Sequence, residues 1–137
     1  MKSRNFVWYW NVLHYSVYRF LKNQSFTNPT IHAGSFMGIL VMNIDWALFN
    51  VCQLFFHESL SDWSFKNQTN GALFLGTIIL PAFLFNYFLL FKNSKYVAYF
   101  AEFDDFNSDK KQRYFWVSIV SILLIWMFFL LSFKFTR

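Results

Sequence analysis

Residues 31–56 read IHAGSFMGILVMNIDWALFNVCQLFF, an apolar run interrupted by one formally charged residue, Asp45. A helix rises about 1.5 Å per residue and the hydrocarbon core of a bilayer is roughly 30 Å thick, so this run is long enough to span with some tilt. Two later stretches, 72–91 and 114–133, have the same character. The chain is therefore read as an all-α membrane protein with three transmembrane helices forming a single integral membrane domain over residues 1–137.

Composition supports this reading. Hydrophobic residues make up 56% of the chain and charged residues 14%, a balance foreign to soluble globular domains. The 21 phenylalanines suit lipid-facing helix surfaces. The formal charge of +5 comes from basic residues beside the apolar runs rather than from one basic tract. They read as topology signals and lipid-headgroup contacts, and nucleic acid is not an expected partner. Cys52 is the only cysteine, which excludes an intrachain disulfide. The abundance of Phe, Asn and Lys fits an A/T-rich bacterial genome, and so a bacterial inner membrane.

Upstream of the first span, residues 5–21 read NFVWYWNVLHYSVYRFL, too short and too polar to cross. At helical spacing Phe6, Trp10, Leu13 and Val17 share one face, and Asn11, His14 and Tyr18 another. With its tryptophans and tyrosines the segment is expected to be an amphipathic interfacial helix, although the same rings can also pack on the chain's own spans. No cleavable leader is expected, because Asn11, His14 and Arg19 break the aromatic stretch after Lys2 and Arg4.

Asn28 and Pro29 form a good start for the first span, Asn28 as a cap and Pro29 at the first helical position. In the second span Pro81 removes the hydrogen bond to the Thr77 carbonyl, which predicts a kink there. The helix is expected to continue past Phe91 as an amphipathic cytoplasmic extension over 94–106, lying along the headgroups or docking on the N-terminal helix. Asn107 breaks it, and Ser108 or Asp109 is expected to cap the third span.

Basic residues set the orientation. Lys2, Arg4, Arg19 and Lys22 precede the first span, and Lys92, Lys95, Lys110, Lys111 and Arg113 separate the second from the third. Lys66, Lys134 and Arg137 are all that fall on the other side. The positive-inside bias then predicts a cytoplasmic N-terminus and an external C-terminus.

Little in the chain points to catalysis. It has no Gly-rich phosphate loop, H-E-x-x-H or G-x-S-x-G. Cys52 and His57 lie five apart on a helix and diverge, so an inert, buried thiol is expected. His57, Glu58 and Asp62 lack metal-ligand spacing. No catalytic residue, cofactor or metal is expected.

Asp45 is the exception, since a carboxylate at mid-bilayer costs a few kcal/mol and usually faces protein or a path. Asn43, Asn86 and Ser121 fall at a similar depth and are expected to form one polar layer with it. Gly34 and Gly38 make a G-x-x-x-G pair that lets another helix approach closely, on a stripe continued by Asp45 and Cys52. The expected function is that of a non-catalytic accessory or interaction subunit of a membrane assembly, immunity and exclusion proteins included. Its expected partners are the lipid bilayer and another membrane protein or a second copy of itself. Asp45 reads first as a hydrogen-bonding clamp between helices. The alternative is a proton- or ion-coupled homo-oligomeric element using Asp45.

Overall fold

The computed structural model describes residues 5–52 and 68–135, and the described residues contain helices and short links but no strand. In chain order the α-helices are α1 (Phe6–Asn23), α2 (Pro29–Cys52), α3 (Gln68–Asn86), α4 (Lys95–Asp104) and α5 (Ser108–Ser132). Three helical runs are long and apolar enough to cross a membrane: Pro29–Cys52, Asn70–Asp104 and Ser108–Ser132. Residues 53–56 of the expected first span, with His57, Glu58, Asp62 and Lys66, lie outside the described residues, as do Lys2, Arg4 and Arg137.

The central span is α2, which packs against α1, α3 and α5. Pro29 opens it, as its missing donor allows, and Asn28 takes a left-handed conformation (φ 53°) from which its carbonyl accepts from Ile31 N at 3.0 Å. Met37, Leu40 and Val41 of α2 meet Trp10 and Leu13 of α1, Ala82 of α3 and Leu90 just beyond it. Helix association of this kind depends on close packing and cross-helix hydrogen bonds, because lipid tails are as apolar as the side chains.

The N-terminal helix differs from expectation. Asn5 caps α1, its Oδ1 accepting from Trp8 N at 3.1 Å. Every residue from Trp10 to Ser16 is then buried, and a helix turns fully in about 3.6 residues, so the middle of α1 is enclosed on all sides. Asn11 and His14, expected on an outward polar face, are both 0% exposed. The physical reason is what covers them. Asn11 Nδ2 donates to Val7 O at 2.9 Å and to Leu89 O at 3.3 Å, while the His14 ring sits among Phe91, Tyr96 and Phe100.

Leu89 belongs to a π-helical turn, Tyr87–Phe91, that follows α3. α3 continues through Pro81 as a helix, and the π-helical turn follows at its C-terminal end. The expected continuous extension is also broken. Asn93 and Ser94 take left-handed conformations (φ 58° and 51°), which end one helix and start α4 in a new direction. Thus α4 docks on α1, with Phe100 and Phe103 in a second cluster with Trp8, Val12 and Tyr15. After α4 the cap of α5 is Asn107, one residue before the expected Ser108 or Asp109; its Oδ1 accepts from Lys110 N at 3.0 Å.

Candidate functional site

Among the described residues, polar side chains on different helices meet inside the bundle. Trp10 Nε1 of α1 donates to Asn86 Oδ1 of α3 at 3.2 Å. Ser118 Oγ of α5 lies 2.9 Å from Ser16 Oγ of α1, and Asn50 Nδ2 of α2 donates to Ser132 Oγ of α5 at 2.9 Å. All six of these residues are buried. Of them Asn86 was expected in a polar layer, and Ser118 was expected to bond backbone or a neighbouring helix, as it does. Asn50 carries the same signal as Asp45, a polar residue in an apolar run, whereas Trp10 and Ser16 belong to a helix that reads as a surface element.

The expected polar layer does not form as one connected set. Asn86 is tied to α1, and its Nδ2 has no partner. Asn43 is buried, with Nδ2 likewise unpartnered. Ser121 Oγ donates to Val117 O of its own helix at 2.8 Å. Asp45 is half-buried, and its Oδ2 is enclosed without a hydrogen-bond partner. It makes no clamp to another helix among the described residues. What the structure does bring together is Asp45 and Ser121, which line one cavity of about 540 Å³ with Tyr9, Trp10, Pro81 and Phe85.

The two glycines are used within the chain. A Cβ on Gly34 would stand 2.5 Å from Phe91 Cζ, and one on Gly38 would stand 3.4 Å from Asn86 Nδ2. The G-x-x-x-G pair thus lets α3 and its π-helical turn approach α2. The stripe does not continue to the end of α2, because Cys52 is exposed there rather than buried as expected. Gly76 on α3 meets nothing within 4 Å.

A second polar region ties α4 to α1 and α5. Trp8 Nε1 donates to Glu102 Oε1 at 3.1 Å, the Tyr15 hydroxyl donates to Asp104, and Lys111 Nζ donates to the Asp104 carbonyl at 2.7 Å. Burial first, and then the Asp104 carboxylate, hold the Tyr15 hydroxyl well above the usual phenol range. Burial also pulls His14 down to about 4, because the charged ring would have to leave water. The Thr30 backbone offsets part of that burial without making a regular hydrogen bond to either ring nitrogen.

Among the described residues no three His, Cys, Asp or Glu side chains gather at metal-binding distance. No protein-family model, curated protein or solved structure matches the chain.

Proposed function

We propose that the protein is a small inner-membrane subunit that works by contact rather than catalysis, bracing or occupying another membrane protein. In this reading the N-terminus is cytoplasmic, the C-terminus is outside, and the source is bacterial. The observation that carries it is how α5 divides its surface. Ser118 and Ser132 are its buried residues, and both are hydrogen-bonded into the bundle. The other flank exposes Trp116, Val120, Leu123, Leu124, Met127 and Leu131, an unbroken apolar stripe at helical spacing. The buried serines of α5 are used in holding the chain's own helices, and one flank of the span is left to meet lipid or protein.

Photo-crosslinking in native membranes tests this. A photoreactive residue at Leu124 should give a discrete protein adduct of fixed stoichiometry, and one at the buried Ser118 should give none. Lipid adducts alone, together with a lone chain by native mass in mild detergent, would overturn the reading.

One observation favours a second reading, in which Asp45 acts as an ionisable group in a homo-oligomer. Its Oδ2 has no donor from any described helix, so it is not held as a clamp would be. A closed ring of identical copies by native mass, inactivated by Asp45→Asn without loss of assembly, supports that reading. A mixed complex with a different protein goes against it.

A further inference from the structure

We propose that the open cavity lined by α1, α2, α3 and α5 binds a lipophilic organic cation, with Asp45 as its counter-ion. This deepens the second reading above by naming what the carboxylate pairs with, and it rests on Asp45 being ionisable. Ring formation, on which that reading also depends, is read separately by native mass.

Charge is the first argument. Among the described residues Asp45 is the one formally charged residue on the cavity wall, and no Lys, Arg or His lines it. One of its carboxylate oxygens is enclosed with no hydrogen-bond partner. A carboxylate that the protein leaves uncompensated in an apolar setting must take its compensation from outside, as a proton or as a cation.

The wall decides which kind of cation. Phe6 and Trp10 stack with ring centroids 5.8 Å apart at 24°, and Phe85 meets both, at 6.0 and 5.9 Å. Aromatic faces attract cations lying within about 6 Å, most strongly where both are desolvated. Trp10 is held in place by its hydrogen bond to Asn86, so its part of this wall is formed before any ligand arrives. A hard inorganic cation needs a shell of about six oxygens. Only Asp45, Tyr9 and Ser121 bring side-chain oxygens here. An ammonium or phosphonium wrapped in hydrocarbon requires no such shell, and the volume of about 540 Å³ suits a small organic molecule.

The test uses the full chain in lipid nanodiscs, with empty nanodiscs subtracted. Tetraphenylphosphonium is the probe, and tetraphenylborate, of the same shape and opposite charge, is the control. Saturable binding of one phosphonium per chain, with no saturable borate binding, is expected. Asp45→Asn should weaken phosphonium binding at least tenfold. Ile125→Trp keeps the carboxylate but fills the cavity, and should abolish binding while circular dichroism and elution volume stay unchanged. Equal binding of the two ions would mean that the cavity takes hydrocarbon, such as a lipid tail, irrespective of charge, and would overturn the proposal. So would an absence of saturable phosphonium binding, or undiminished binding by a folded Asp45→Asn protein. Should Asp45→Asn fail to fold, the phosphonium–borate comparison and Ile125→Trp decide the matter without it.

Discussion

Replacing Gly34 by alanine puts a methyl carbon 2.5 Å from Phe91 Cζ and 3.1 Å from its Cε2. Non-bonded carbons settle roughly 3.5–4.0 Å apart, so the ring or the helix must move by about 1 Å. The ring has little freedom to do so. Phe91 is in edge contact with His14 and Tyr96, at 6.0 and 5.7 Å between centroids, and packs on the cluster that holds Met37, Leu40 and Leu90. Overpacking of this kind costs about 1–3 kcal/mol. Losing a glycine from a helix returns roughly 0.5–1 kcal/mol, which leaves a net loss centred on about 1 kcal/mol. Two other glycines serve as internal controls. Gly38→Ala meets only Asn86 Nδ2 at 3.4 Å and should be near neutral, while Gly76→Ala meets nothing within 4 Å and should stabilise slightly. Equilibrium unfolding in mixed micelles titrated with dodecyl sulfate, followed by tryptophan fluorescence, ranks the three. Combining Gly34→Ala with Phe91→Leu should recover most of the loss, since the shorter side chain removes the contact. A Gly34→Ala protein as stable as the parent, or one equally destabilised on the Phe91→Leu background, would refute the reasoning.

Stability should also fall in acid through His14. Its folded value of about 4 lies below the ordinary 6.5, so the unfolded chain takes up the proton first. Stability is then full above about pH 6.5 and declines towards pH 4, by up to roughly 3 kcal/mol, and His14→Leu should flatten that slope if amide exchange of α1 is followed across the range. A chain beginning at Lys22 should still insert but lose cooperative unfolding, because Trp10 and Leu13 leave one cluster while Trp8, Val12 and Tyr15 leave the other; an unchanged unfolding midpoint would show that α1 is not integral to the bundle. For topology, a reporter active only outside the cytoplasm should be active after Arg137 and silent near Ser108, and the reverse pattern would invert the proposed orientation.

The spans were legible because crossing a bilayer is a demand on composition: about 20 consecutive apolar residues announce themselves whatever packs around them. Their ends were less so. The apolar run 114–133 marks the part of α5 suited to lipid, yet the helix starts at Ser108, where Asn107 caps it, and carries Lys110, Lys111 and Arg113 in its first turns. The burial of α1 was hidden for a different reason. Periodicity reports which residues of a helix differ in polarity, not what lies over them. Asn11 is polar because a carbonyl from the π-helical turn needs a donor there, and such a turn leaves no clear mark in YFLLF.

Asp45 shows where sequence and geometry part. Its isolation in an apolar run was enough to single it out, but its surroundings depend on the rotation of α2 about its own axis and on α1, whose packing on the spans was only one of two readings of the sequence. With α1 on the surface, Asp45 would have only α3 and α5 to face, and a clamp would be the natural reading. With α1 inside, Phe6, Tyr9 and Trp10 form one side of the cavity that Asp45 lines. Trp10 is fixed to Asn86 by its indole hydrogen bond. The same helix also supplies residues to both hydrophobic clusters, Trp10 and Leu13 to one and Trp8, Val12 and Tyr15 to the other. That side of the cavity is thus built from a helix anchored at both the α2–α3 side and the α4 side, and its shape follows from that anchoring as well as from Val41 and Ile44 beside Asp45 in the chain.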